Sequence, residues 1–178
     1  MKQLLITLVL AVLAPVFLCA QPKRPVPPIV EIADVESSEN ALAVFAMNAD
    51  GQSAYYLNVG QLGAGDDVLQ ILFDPVDMLF IPLGATMSEA LATLQELEAL
   101  YAGEPGATLE IEACFAPVLP DQSREMATVT MKKRLFCRQL AFVLQRDGYI
   151  RSTYVTRSDF RNLMMNVKWY AKTHTDLF

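Results

Sequence analysis

The apolar residues of this chain come in short runs closed by turn-forming residues, and that spacing restricts the fold more than any other feature. "ALAVFAM" (41–47) and "SAYYLNV" (53–59) are separated by "NADGQ", where Asp50-Gly51 supplies hairpin-turn chemistry. The glycines of "GQLGAGDD" (60–67) mark a loop. "VLQILF" (68–73) and "MLFIPL" (78–83) flank "DPVD", in which Asp74-Pro75 favours a turn. Runs of this length suit strands rather than helices. Pro82 has no N–H for a ladder, so its strand belongs at an edge or ends there.

One segment breaks the pattern. In "TMSEALATLQELEALYAG" (86–103), Ala90, Leu91, Leu94, Leu97, Ala99 and Leu100 recur at helical spacing, with Tyr101 on a flank and Glu96 and Glu98 toward water. Thr86 and Glu89 match a capping box at its start, and Gly103 ends it.

Two longer stretches follow, "TLEIEACFAPVL" (108–119) and "ATVTMKKRLFCRQLAFVLQ" (127–145). As an antiparallel pair with Cys114 opposite Cys137, they place Leu109, Ile111, Ala113 and Phe115 on one face with Phe136, Arg138, Leu140 and Phe142. The other face receives Glu110, Glu112, Cys114 and Ala116 with Leu135, Cys137, Gln139 and Ala141. A one-residue slip would mix the faces, so this register is the expected one. It leaves Lys132, Lys133 and Arg134 at the outer end of a strand and puts Arg138 at a sheet margin with its stem buried. It also brings Cys114 and Cys137 within reach of a disulfide, with two buried thiols as the alternative.

Arg146-Asp147-Gly148 then reads as a turn and Tyr149–Thr156 as a strand. Ser158 is placed to cap a final helix over 159–174, with Phe160, Leu163, Met164, Val167 and Ala171 as its apolar stripe. The expected fold is therefore α+β: a mostly antiparallel sheet with two helices on one face, in the order ββββα-βββα.

Residues 1–20 carry Lys2, then the nearly unbroken apolar stretch Leu4–Ala20, and read as a signal peptide. Residues 21–30 form a Pro-rich extended leader, and 31–178 a single domain. Cleavage after Ala20 implies a periplasmic or extracellular product. Cleavage before Cys19, with lipid on its sulfur, would anchor it to a membrane instead; no other membrane attachment is expected.

Charge is segregated. Positions 31–121 hold sixteen Asp or Glu and no Lys or Arg; positions 122–178 hold eleven Lys or Arg and four Asp or Glu. Interleaved strands of one domain would bring these blocks together and neutralise them locally. With a net charge of −6 the chain lacks the dominant basic footprint of a nucleic-acid binder.

Little chemistry is encoded. The one histidine, His174, lies four residues from the end, and no metalloprotease, nucleophile-elbow or P-loop motif occurs. Asp66, Asp67, Asp74 and Asp77 flank one short run and could bind a divalent cation or supply an acid–base pair. Acidic turns also arise for solvation alone, and no cofactor is implied. Tyr56, Tyr149, Tyr154 and Trp169 are candidate ligand-binding aromatics, beside Tyr55 and Met165, with core packing as the competing fate.

"LFIPLGATMSEALATLQELEAL" and "RDGYIRSTYV" resemble stretches of small exported Gram-negative bacterial proteins of unknown function. The resemblance spans most of the chain after residue 20; it implies an envelope location and no defined activity. The expected role is a non-enzymatic binding or interaction module that engages a protein or glycan of the cell envelope. The alternative is a metal-dependent or carboxylate-based hydrolase using residues 66–77.

Overall fold

The computed structural model of the chain describes residues 29–36, 41–49, 51–63, 78–115, 124–146 and 149–174. The elements are β1 (Ile29–Glu36), β2 (Ala41–Ala49), β3 (Gln52–Gln61), β4 (Met78–Gly84), α1 (Met87–Leu100), β5 (Thr108–Ala113), β6 (Glu125–Lys133), β7 (Arg138–Arg146), β8 (Tyr149–Thr156) and α2 (Arg157–Thr173). The class is α+β, with two four-stranded antiparallel sheets, β1-β2-β3-β4 and β5-β6-β7-β8, in place of one. Among the described residues the order is ββββα twice, where ββββα-βββα was expected. β1 begins at Ile29, inside the stretch expected as leader. The signal peptide, most of the leader and the strand expected over 68–73 lie outside the described residues.

The added strand of the second half comes from 127–145. That stretch is two strands, β6 and β7, joined by a loop over 134–137 in which the Arg134 N–H donates to the Cys137 carbonyl at 2.9 Å. β6 therefore lies between β5 and β7 and pairs with both: Leu109 faces Val129, and Met131 faces Leu140. The expected register, with Cys114 opposite Cys137, does not form, although β5 does pair with the first part of 127–145. A nineteen-residue alternating stretch is about three times the usual strand length, so a break within it is physically reasonable.

Local sequence signals fix several elements. β2 and β3 form the expected hairpin, with Ala49 opposite Gln52 and Gly51 at φ 79°, a left-handed turn position that favours glycine. β4 is the last strand of its sheet, as Pro82 requires. At the start of α1 the Glu89 N–H donates to Thr86 Oγ1 at 3.2 Å, while Glu89 Oε2 accepts from the N–H groups of Ala85 and Thr86. Gly84 has φ +124°, and a Cβ there would lie 2.5 Å from the Glu89 Cβ, so this cap needs glycine before it. α2 starts two residues earlier than expected: Thr156, not Ser158, accepts the Asp159 N–H. Its buried residues Phe160, Leu163, Met164 and Val167 are those of the expected stripe.

Both sheets and both helices share one core, in which Leu57 and Ile81 join Val129, Leu140, Phe142, Leu94 and Phe160. The sheets also meet through backbone. Phe80 of β4 and Cys114 exchange hydrogen bonds of 2.9 and 2.8 Å, and Gly63, just beyond β3, donates to Ser152 of β8 at 3.0 Å. α1 packs on β4, whereas α2 packs chiefly on β1 and β2, the strands of the other half. Asn166 of α2 donates to the Asp34 carbonyl of β1 at 3.3 Å.

Tyr101, at the C-cap of α1, ties the halves together. It is almost wholly buried; its hydroxyl donates to the carbonyls of Val155 (2.9 Å) and Thr156 (3.2 Å), and its ring stands 5.7 Å from that of Phe160. The Arg138 guanidinium donates to the carbonyls of Tyr101 and Gly103, at the negative end of the α1 dipole. This is the role of the arginine that the alternation left on an apolar face.

Burial pushes the Tyr101 phenol far above its ordinary value, with Asp159 adding and a hydrogen bond from the Leu140 backbone opposing. The native state thus keeps a proton that the unfolded chain loses near pH 10, and stability is predicted to fall above that pH. The decline is up to about 1.4 kcal/mol per pH unit for one group. Tyr101→Phe should reduce this slope, and should cost about 1–2 kcal/mol near neutral pH through the stranded carbonyls. Urea unfolding at neutral and alkaline pH measures both.

Candidate functional site

The expected site residues are distributed over separate surfaces. Tyr56 is buried beside Met47 and Cys114 in a small cluster apart from the main core. It lines a concavity of about 540 Å³ whose wall includes the Glu112–Arg124 ion pair. Burial, reinforced by Cys114 and opposed by Arg124, raises its phenol pKa. Tyr149 opens β8 opposite Arg146. Trp169 lies on the outer face of α2, 64% exposed, beside the half-exposed Met165 and edge-on to His174. Asp66, Asp67, Asp74 and Asp77 lie outside the described residues. Among the described residues no group of three or more His, Cys, Asp or Glu could hold a metal ion.

Cys114 is buried just past β5 and Cys137 is exposed before β7, and no disulfide joins them. With β6 inserted between those strands they are not cross-strand neighbours, so the possible disulfide does not form, and of the alternative pair of buried thiols only Cys114 is buried. Phe136, expected to close over Phe115, is instead at the loop apex, 94% exposed, with Leu135 87% exposed beside it.

Tyr154 is the expected residue with a developed chemical environment. Alternation along the second sheet turns Val129, Met131, Leu140, Phe142 and Val155 into the core. Thr130 and Lys132 of β6, Gln139 and Ala141 of β7, and Tyr154 and Thr156 of β8 share the opposite face. The register runs Thr130–Ala141–Tyr154 and Lys132–Gln139–Thr156 across three strands. Lys132 Nζ and the Arg134 guanidinium carbon each lie 5.4 Å from the centre of the Tyr154 ring, within cation–π range. The Ser152 hydroxyl donates to Tyr154 Oη at 3.4 Å. That hydrogen bond lowers the Tyr154 pKa, with the positive charges of Lys132 and Arg134 adding and burial opposing.

The same end of the sheet gathers Lys132, Lys133, Arg134, Arg138 and, from the start of α2, Arg157 around the Leu135–Phe136 apex. None of the residues lining the two concavities there is acidic. The blocks of opposite charge do meet elsewhere, where Arg124 pairs with Glu112, and Thr128 donates to Glu110 at 2.8 Å. Lys132, Arg134 and Gln139 were not expected as site residues. The signal that could have found them is the length of 127–145, which calls for a loop at its charged centre.

No protein-family model, curated protein or solved structure matches the chain.

Two measurements follow from this geometry. In the native protein a thiol reagent should modify Cys137 quickly and Cys114 only on unfolding, and Cys137→Ser should abolish the fast phase. In an alkaline absorbance titration Tyr154 should ionise below the ordinary tyrosine range, so that Tyr154→Phe removes the earliest part of the curve.

Proposed function

We propose that the protein is a non-enzymatic binding module of the cell envelope, with the β6–β7 end of the second sheet as its contact surface. The apolar stretch of residues 4–20 behind Lys2 supports export to the periplasm or cell exterior. Among the described residues no helix is long and apolar enough to cross a membrane.

The observation that carries the reading is the exposed pair Leu135 and Phe136, set among Lys133, Arg134, Arg138 and Arg157 in a chain of net charge −6. Two adjacent large apolar side chains held in water contribute nothing to the core. Burying each against a partner is worth about 1.5–3 kcal/mol. The surrounding Lys and Arg steer an acidic partner and set orientation more than affinity. An acidic envelope protein or glycan with an apolar recess fits this surface.

Leu135→Ser combined with Phe136→Ser should leave the melting temperature unchanged, because neither side chain packs in the core. The same double substitution should reduce capture of the partner from an envelope extract at least tenfold, and raised salt should weaken capture by the wild-type protein. Capture that is indifferent to both substitutions would overturn the assignment.

A further inference from the structure

The outer face of the second sheet ends in a concavity of about 400 Å³, with Lys132, Lys133, Arg134, Thr130 and Tyr154 around Gln139. Gln139 is only 2% exposed, and its Nε2 makes no hydrogen bond among the described residues. A buried amide N–H₂ holds two donors, and the great majority of such groups are satisfied. Gln139 sits on the central strand β7, cross-strand from Lys132 on one side and Thr156 on the other. Its unpaired donors therefore lie in a recess lined by Lys132, Lys133 and Arg134.

We propose that this recess binds a phosphate-type oxyanion, with Gln139 Nε2 donating from the floor and Lys132 and Arg134 closing over it from the rim. The polar groups available are ammonium, guanidinium, amide N–H₂ and hydroxyl, all of them donors, and no carboxylate lines the recess. Three cations exceed what a single carboxylate needs. A tetrahedral oxyanion presents oxygens in several directions at once, so it can accept from floor and rim together, and the guanidinium fork matches two of those oxygens. After the Ser152 hydrogen bond, the charges of Lys132 and Arg134 add to the lowering of the Tyr154 pKa. The phosphate could be carried by a lipid headgroup or by a soluble molecule. Lys133 and Arg134 line both this recess and the concavity beside Leu135 and Phe136. The inference rests on the contact-surface reading for the ligand's carrier, whereas the recess itself rests on Gln139.

Calorimetric titration of the intact protein with inorganic phosphate, at fixed ionic strength, tests the site. Saturable binding is expected, weakened at least tenfold by Gln139→Leu and by Lys132→Gln, and unchanged in Phe136→Ser. Gln139→Leu replaces an unpaired buried amide with an apolar side chain of similar size, so a maintained or raised melting temperature accompanies the loss; Lys132→Gln is a surface change that leaves the fold alone. Cosedimentation with vesicles of phosphatidylcholine, with and without phosphatidic acid, identifies the carrier. Retention that requires phosphatidic acid and is lost in Gln139→Leu assigns a lipid headgroup. Phosphate binding with no vesicle preference assigns a soluble ligand. Absence of saturable phosphate binding, or equal binding by wild type and Gln139→Leu, overturns the site. If phosphate binding behaves as expected while the Leu135 and Phe136 substitutions spare partner capture, the recess stands and the contact-surface reading falls.

Discussion

The join between the end of α1 and the second sheet is the interaction on which the rest of the molecule depends. Each four-stranded sheet has one apolar face, and neither can bury that face alone. Tyr101 brings them together by placing an aromatic ring against Phe160 and a phenol on the last carbonyls of β8. Arg138 completes the join from the other side, on the carbonyls at the end of α1. Hydrogen bonds to a charged donor are among the stronger ones in proteins.

That join also sets up the exposed loop. Arg138 is the first residue of β7, directly after 134–137, and its tether fixes the base of the hairpin against α1. Leu135 and Phe136, at the apex of that loop, project into solvent. On the sheet face behind them, the strict alternation that buries Leu140 and Phe142 turns Gln139 outward, beneath Lys132 and Tyr154. The cationic, apolar and amide features of this end are thus one consequence of a single register across β6, β7 and β8.

What the sequence disclosed was mostly local. The Thr86–Glu89 capping box, the Asp50-Gly51 hairpin and the Phe160–Leu163–Val167 stripe are set by residues within one or two turns of each other, and they appear where the pattern put them. The second sheet failed because "KRLFC" holds no glycine or proline to mark the loop. Pairing 108–119 with 127–145 so that Cys114 faced Cys137 then gathered the large apolar groups on one face. The missing information was non-local: β6 had to be recognised as a separate strand that claims β5 for itself. Of the candidate site, Tyr154 was legible as an aromatic on an alternating strand. Lys132 and Arg134 were visible only as charges, and Gln139 depends on knowing which face of β7 is covered.

The crossing of α2 onto β1 and β2 governs the order of events in the life of the chain. Asn166 and Asp34 are 132 residues apart in sequence, and the helix that covers the first two strands is synthesised after all of the described strands. Contacts of such separation close late, because the loop entropy must be met before they stabilise anything. The strands β1 and β2 therefore emerge from the ribosome without their cover, and the domain cannot lock shut until α2 has followed them.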